Sequence, residues 1–503
     1  MNALVIAPVL VPLIAGLLLA LAHSESARAL PVQRFIAILA VLLLLALAGW
    51  LFAATDAGEI LVHKLGNWPA PYGIVLVADR LAAFLLLVTA LLALPVLLAA
   101  MGGVDGAGRH FHALFQFQLM GLNGAFLTGD VFNLFVFFEI LLLASYTLLL
   151  HGDGGGTRVR AGLHFVVLNL AGSSLFLIAV GTLYGLYGTL NMADLAVRVA
   201  ATPAENLGLA RAALLLLFLV FALKAALLPL HLWLPSTYAA ASAPVAALFA
   251  LMTKVGAYAL LRLGSLLGGL NDADWQVSDL LLPLALASVL AGSFGALVAP
   301  HLRAQIGHLT VASSGTVITA FTLPGFETLA AGLVYFAHST FVAAGFFLGA
   351  GLICAWRHRG DELRPGAAVD RPALTGALFV LIAASIAGLP PFSGFVSKFL
   401  LLRAALETTA APWVLAILLA GSLMALIALM RSGSLLFLAP VGAARPVAFA
   451  PATRALLAAI AVLMGLTFAI VLAVGPLWQE ALATAVQLAQ PQRYIEAVLE
   501  GVR

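Results

Sequence analysis

Three lysines stand inside long apolar runs of this sequence. Lys224 lies in FALKAALLPLHLWL, Lys254 in FALMTKVGAYALL and Lys398 in LPPFSGFVSKFL. A charged side chain at membrane depth costs several kcal/mol, so it normally lines a polar path or pairs with another charge. A lysine changes its protonation readily when it is desolvated, whereas an arginine stays charged. The three positions therefore predict groups that load and release protons.

Glu139, in VFNLFVFFEILLLASY, is the clearest carboxylate at the same depth. Residues three and four apart share a helical face, and the apolar neighbours at those spacings offer no opposite charge to Glu139, Lys224 or Lys254. We therefore pair Glu139 with Lys224 across two helices and place Lys254 as a like-charged neighbour. A close carboxylate favours the protonated lysine, and its withdrawal favours proton release. The alternative is a static ion pair that joins helices.

Two histidines extend this set, because imidazole titrates near neutral pH. For His338, in LVYFAHSTFVAAGFF, we favour a proton relay over a hydrogen-bonded core histidine. For His231, proton transfer and an interfacial capping role are equally open. Several nearby polar side chains can hold water, although hydrogen bonds between helices are their commoner use: Asn133, Asn169, Ser173, Thr253 and Ser397.

Proline interrupts two of these apolar runs. Pro229 follows Lys224 by five residues, and Pro390 and Pro391 precede Lys398. A broken helix within a membrane is tolerated only where it is buried in protein or borders a cavity. A pair of such breaks in corresponding halves of a chain indicates an ion site of a transporter.

The composition is that of a polytopic membrane protein. Of 503 residues, 63% are apolar and 9% are charged, whereas soluble domains carry roughly 25% charged residues. The lipid bilayer is thus an expected partner. The net charge of +3 gives no support to nucleic-acid binding, and the single cysteine permits neither an internal disulfide nor a cysteine metal cluster.

The motifs of common enzyme classes are absent from the sequence. Gly152–Gly156 (GDGGG) lacks the lysine and the Ser/Thr of a phosphate-binding loop and follows a membrane helix. HExxH and CxxC motifs are also missing. We therefore expect no cofactor and no metal, and a transporter rather than an enzyme.

A span needs about 20 mainly apolar residues, and this rule predicts about 14 helices. They fall near 3–22, 32–53, 75–100, 110–128, 131–150, 161–188, 209–228, 240–263, 279–299, 303–323, 328–355, 373–388 continuing through 395–407, 412–438 and 453–475. The seventh and twelfth are the interrupted ones. The tail Trp478–Val502 is predicted to be a short surface helix broken at Pro491. Arginines favour the inner loops if both termini lie outside.

Three stretches resemble the antiporter-like membrane subunits shared by respiratory complex I, membrane hydrogenases and Mrp-type multisubunit cation/proton antiporters. They are VFNLFVFFEILLLASYTLLL, LKAALLPLHLWLPSTYAAASAPVAALFALMTKVGAYALLR and GLPPFSGFVSKFLLL. The resemblance implies two inverted five-helix repeats, each with one broken helix, and a line of ionisable residues at the membrane midplane. By position, Glu139, Lys224, Lys254 and Lys398 match the proton-path residues of the family.

The same resemblance implies four segments. Residues 1–109 hold the first three helices, 110–265 the first repeat with its break near Pro229, 266–440 the second repeat with its break near Pro390, and 441–503 the last membrane helix and a short tail.

Within the family, the residues around Glu139 and Lys254, and a lysine at 398, resemble the D component of the Mrp (Mnh, Pha) type. One departure is Ala343, where many members have a lysine five residues after the histidine that His338 matches. The resemblance implies one component of a hetero-oligomeric complex in a bacterial inner membrane, which exchanges protons for Na⁺ or K⁺.

Three alternatives stay open. The first is a proton-pumping subunit of a quinone- or hydrogenase-type oxidoreductase. The second is the membrane subunit of a bicarbonate uptake complex, and the third is a scaffold in which the charged residues tolerate neutral replacement. Neighbouring genes for iron–sulfur and flavin subunits favour the first, and a gene for a large zinc-site protein favours the second.

Overall fold

The structure is a computed structural model that describes residues 2–21, 29–152, 155–268, 276–357, 360–441 and 450–500. Parts of the predicted last segment, 442–449 and 501–503, lie outside the described residues. Eleven described helices are long and apolar enough to cross a membrane. The all-α polytopic class is confirmed, and the only sheet in the described chain is one two-stranded hairpin.

The first part of the chain consists of three long helices and this hairpin. They are α1 (Ala7–Leu21), α2 (Ala29–Thr55), β1 (Leu61–Lys64), β2 (Val75–Ala78) and α3 (Arg80–Ala100). The strands pair antiparallel with Leu61 opposite Ala78. Asp79 starts α3, because its carboxylate accepts a hydrogen bond from the Ala82 backbone N–H.

The middle of the chain contains the first predicted repeat. Its helices are α4 (Phe111–Leu127), α5 (Val131–Leu150), α6 (Gly155–Tyr187), α7 (Met192–Ala200), α8 (Leu207–Lys224), α9 (Trp233–Ala240), α10 (Ala243–Phe249) and α11 (Met252–Leu266). The span rule does not predict the short helix α7, whose first turn is capped by the Asn191 side chain.

The second predicted repeat and the tail follow. Their helices are α12 (Ser278–Val298), α13 (Leu302–Thr322), α14 (Phe326–Trp356), α15 (Pro372–Ala387), α16 (Ser393–Ala405), α17 (Ala411–Gly433), α18 (Pro451–Leu472), α19 (Val474–Leu488) and α20 (Pro491–Leu499). Helices α4 and α13 and the α15–α16 pair lie where the three remaining spans are predicted. Together with the eleven helices given above, they account for the predicted spans. The inverted relation of the repeats stays a prediction.

The first interruption differs in extent from its prediction. Helix α8 ends at Lys224 rather than near Leu228, and the same span resumes as α9. The eighth span is itself interrupted between Phe249 and Met252, which the sequence did not reveal because neither Pro nor Gly occupies 250–251.

The second interruption lies within two residues of its prediction. Helix α15 ends at Ala387 and α16 begins at Ser393. Gly388 closes α15 in the left-handed region (φ +85°), where its N–H bonds to the Ala384 carbonyl oxygen. A residue without a Cβ adopts this backbone geometry at no steric cost.

The tail begins earlier than predicted, since α19 starts at Val474, directly after α18, rather than at Trp478. The break at Pro491 is where the sequence places it, because proline is well suited to the first turn of α20. The tail closes over the hairpin end of the molecule: Arg493 Nη2 donates to the Gly58 carbonyl oxygen (3.1 Å) and Lys64 Nζ to that of Glu500 (3.1 Å). Arg80 and Glu480 form an ion pair beside them.

Candidate proton-transfer site

Helix α6 lies between the two groups that the sequence pairs. Ser173 Oγ donates a hydrogen bond to Glu139 Oε1. Lys224 Nζ donates to Asn169 Oδ1 over 3.2 Å. Asn169 and Ser173 are four residues apart and therefore share one face of α6. Within the described chain, Glu139 and Lys224 are thus bridged by two side chains rather than joined in a direct ion pair.

Close packing fixes the position of Lys224, the last residue of α8 and 4% exposed. Its Nζ lies 5.9 Å from the centroid of the Phe138 ring on α5. On α11, a Cβ added to Gly256 would lie 2.5 Å from the Ala225 backbone nitrogen and 2.8 Å from the Lys224 carbonyl carbon. Only glycine allows the two helices to approach this closely at the lysine.

The backbone groups freed at the first break form hydrogen bonds with side chains from other elements. Ser314 Oγ donates to the Ala225 carbonyl oxygen (2.6 Å), and the Leu228 N–H donates to Ser288 Oγ (2.8 Å). Trp233 Nε1 donates to the Leu223 carbonyl oxygen at 3.1 Å. Backbone groups freed from a helix within a membrane need such partners. Helices α12 and α13 of the second half thereby hold the break of the first.

Lys254 links the two halves more directly. It lies in the first turn of α11, just after the unpredicted interruption, and is fully buried. Its Nζ donates to Ser313 Oγ on α13 over 3.1 Å.

A cavity begins at Ser313 and reaches the second break. Its lining includes His338, Lys398 and Ser422, and hydroxyl groups on α12, α13 and α14. Water centres can occupy about 60 Å³ of it, which is room for several waters since one needs roughly 10–15 Å³ on this measure. Ala343 lines the same cavity, so a methyl group stands where the family resemblance leads one to expect a lysine.

His338 and Lys398 both contact the second break. His338 is buried, and its Nδ1 lies 2.8 Å from Ser393 Oγ at the start of α16. Lys398 Nζ donates to the carbonyl oxygens of Ile386 (2.9 Å) and Ala387 (3.3 Å) and to Ser422 Oγ (3.0 Å). Those two carbonyls end α15, so the ammonium group sits at the negative end of a helix dipole.

His231 lies apart from this line. Among the described residues no hydrogen bond joins it to a lysine, and its buried Nδ1 is without a partner. His308 on α13 likewise has a buried Nδ1 without a partner in the described chain.

Sequence reasoning did not single out His308. It also missed three serines that bind Lys254, His338 and Lys398, respectively: Ser313, Ser393 and Ser422. For His308 a signal exists, since it interrupts the apolar pattern of a span. Serines in membrane helices usually bond to their own backbone, so sequence carries no comparable signal for them. The described residues hold no cluster of three or more His, Cys, Asp or Glu side chains that could bind a metal.

Comparison with known proteins places this arrangement in a family. A profile described as "NADH:quinone oxidoreductase/Mrp antiporter, TM" matches residues 128–428, the part of the chain that carries both breaks, the lysines and the cavity. This chain belongs to that family.

Relatives of this NADH:quinone oxidoreductase/Mrp antiporter family member agree along its whole length. The D component of a probable K⁺/H⁺ antiporter of Rhizobium meliloti is 38% identical, covering 100% of this chain and 98% of the relative. The D component of a Na⁺/H⁺ antiporter of Alkalihalophilus pseudofirmus is 35% identical over 99% of this chain and 100% of the relative. A chain in the structure of the Mrp complex from Dietzia sp. DQ12-45-1b superposes with a TM-score of 0.88 at 28% identity, covering 99% of each chain.

The protein is therefore a multi-pass membrane protein of this antiporter family and a homologue of the D component of Mrp antiporters. Its homologues are parts of a multisubunit complex, which supports hetero-oligomeric partners for this chain as well.

Proposed function

We propose that this chain is the proton-carrying D component of a multisubunit Na⁺(K⁺)/H⁺ antiporter. In this proposal, protons pass between Glu139, Lys224, Lys254, His338 and Lys398 at mid-depth, and His231 serves the entry side. The observation that carries the proposal is the bond from Lys254 to Ser313, which lines the same cavity as Lys398 and His338. This cavity has room for water between Ser313 and Lys398, where no direct hydrogen bond continues the line of titratable groups in the described chain.

Hydrogen-bonding chemistry supports each transfer along this line. A hydroxyl both donates and accepts, so Ser313 and Ser422 can pass a proton to or from the lysine that each of them binds. Waters in the cavity complete the path across the position of Ala343. An ammonium group repels a second one nearby, so loading of one lysine favours release from the next.

The positions of Lys224 and Lys398 support the inverted repeats 110–265 and 266–440. Lys224 ends the helix before its break, and Lys398 lies in the helix after its break. An interrupted helix in each of two corresponding segments is a feature of transporters built from inverted repeats. We propose the same division into four segments as the sequence predicts.

The relatives' names guide the choice of cation and partners. One relative is named for K⁺ and another for Na⁺, so we propose exchange of a monovalent cation against protons, in a bacterial inner membrane with both termini outside. Both ends of the described chain pack against β1, which supports termini on one side.

The test is exchange by the intact complex in everted membrane vesicles. Glu139→Ala and Lys224→Ala should each abolish proton-coupled cation exchange while the other subunits still co-purify. Lys64→Ala, which removes a half-buried lysine that binds the tail, is the matched control and should exchange at the wild-type rate. Wild-type exchange in either assembled site variant would remove the proposal.

A redox-driven complex is the second candidate, because the family description also covers NADH:quinone oxidoreductase. Purification of the native assembly separates the two. Iron–sulfur or flavin absorbance in the purified complex would support the redox candidate, and its absence together with ΔpH-driven exchange would support the antiporter.

A further inference from the structure

The bridge on α6 is more than a contact between helices. Asn169 and Ser173 are 1% and 4% exposed, and each binds one member of the Glu139–Lys224 pair. The adjacent Ser174 is exposed and bonds only to the Leu170 carbonyl oxygen of its own helix (3.1 Å). The face of α6 that carries Asn169 and Ser173 therefore binds the Glu139–Lys224 pair, whereas the adjacent Ser174 does not.

The amide of Asn169 has a fixed orientation. Its Nδ2 donates to the Phe165 carbonyl oxygen over 2.9 Å, which leaves Oδ1 directed at Lys224. An amide oxygen accepts hydrogen bonds and does not donate them. Asn169 therefore stabilises the ammonium form of Lys224 more than the neutral amine, which is a weaker donor. Ser173 complements it by donating to the carboxylate of Glu139.

The surroundings make a direct ion pair strongly attractive. Phe138, Phe176 and Phe221 pack together between α5, α6 and α8, with ring centroids 5.3 to 6.1 Å apart. In such apolar surroundings opposite charges attract far more strongly than in water. Since Glu139 and Lys224 are nevertheless bridged in this structure, the two α6 side chains supply the interactions that compete with direct pairing.

We propose that Asn169 and Ser173 are positioning residues that hold Glu139 and Lys224 in a separated state, and that direct pairing requires Ser173 to release the carboxylate. This inference rests on the proposed proton-carrying role of the pair. In this inference, the two α6 side chains set the free-energy difference between the separated and the paired states. They thereby also set the pH at which Lys224 gives up its proton.

Other titratable groups lie on the elements packed against α5, α6 and α8. In the described chain they include Tyr146 on α5, His164 on α6, Tyr238 on α9, and Lys254 and Arg262 on α11. Ser173 and Asn169 bind Glu139 and Lys224 directly, so we assign the pH dependence of the separated state to the Glu139–Ser173–Asn169–Lys224 group.

The experiment compares the pH profiles of exchange for Ser173→Ala and Asn169→Leu in the intact complex, with Ser174→Ala as the matched control. Ser173→Ala frees the carboxylate to pair with Lys224, which stabilises the ammonium, so the pH of half-maximal exchange should rise by about one unit. Asn169→Leu removes an acceptor from the ammonium, so that pH should fall by about one unit, as expected for one hydrogen bond to a charged group. Ser174→Ala should keep the wild-type profile.

Opposite shifts support the inference, because looser packing of α6 would move both profiles alike. Shifts in one direction, or wild-type profiles in both variants, would overturn it. Glu139→Ala and Lys224→Ala are measured alongside. If these two variants lose exchange while the α6 variants keep the wild-type pH profile, only the role of α6 is refuted. If Glu139→Ala and Lys224→Ala exchange at the wild-type rate, the proposed function itself is refuted. If a variant fails to assemble, Ser173→Cys and Asn169→Ser provide a weaker donor and a shorter acceptor, and smaller shifts of the same signs are required.

Discussion

The hydroxyl group of Ser314 donates a hydrogen bond of 2.6 Å to the carbonyl oxygen of Ala225, the residue that follows Lys224. Ser314 lies on α13 in the second half of the chain, and Ala225 lies in the break of the first half. The geometry at the first lysine thus depends on a helix that is about 90 residues away in sequence. The two halves are not independent units joined only at the cavity.

Ser314→Ala should therefore lower exchange several-fold and lower the midpoint of thermal unfolding. The substitution leaves a buried carbonyl without a donor, which costs roughly 1–3 kcal/mol. The measurements are exchange in vesicles and unfolding of the purified complex. Thr322→Ala on the same helix removes a hydroxyl that bonds only to its own helix, and it should have little effect on either. Equal effects of the two variants would contradict this role of Ser314.

Gly256→Ala should abolish exchange or prevent assembly. The added Cβ would meet the backbone of Ala225 and Lys224 at 2.5 and 2.8 Å, so α11 and α8 have to move apart at the lysine. Gly264→Ala, on the same helix, meets nothing within 4 Å and should behave as wild type or slightly better, because alanine favours a helix by about 1 kcal/mol over glycine. Co-purification and exchange are measured for both, and wild-type exchange in Gly256→Ala would refute the close approach.

Lys398→Arg should abolish exchange without loss of the complex. Arginine keeps the positive charge at the end of α15 but does not release its proton under physiological conditions. If Lys398 has only a structural role, the arginine variant retains exchange, which separates charge from proton transfer. Arg403→Lys, an exposed position near the end of α16, is the control, and exchange in vesicles is the readout for both.

Asp130 gives stability a pH dependence that Asp130→Asn should remove. Burial raises the pKa of its carboxyl to about 6, although the hydrogen bonds that it accepts from the backbone at the start of α5 act in the opposite direction. Between its ordinary value of 3.8 and about 6, the folded protein binds the proton and the unfolded chain does not. Stability from this group is therefore present at low pH and is lost as the pH rises through 6.

At pH 7.5, Asp130→Asn should raise the free energy of unfolding by roughly 1–3 kcal/mol, from a shift of about two pKa units, since asparagine also caps helices well. At pH 4 the wild-type protein and the variant should have similar free energies of unfolding. Thermal unfolding at both pH values measures this, with Asp56→Asn at an exposed carboxyl as the control. A variant that is less stable than wild type at pH 7.5 would contradict the expectation.

Much of the fold follows from local sequence. Apolar length decides where a chain spans a bilayer, and the predicted spans correspond to described helices. Proline and glycine mark the second break to within two residues. The interruption before Lys254 has no such marker, because neither Pro nor Gly occupies 250–251.

The sequence by itself determined the membrane class, the family and the set of charged residues in apolar surroundings, because the cost of placing a charge in hydrocarbon depends on residue type and position along the chain. The tertiary structure alone decided which groups they bind. Asn169 and Ser173 stand between Glu139 and Lys224, and Ser313 and Ser422 bind Lys254 and Lys398. A hydrogen bond depends on ångström-scale placement of facing helices, and that placement is fixed by packing between residues far apart in the sequence.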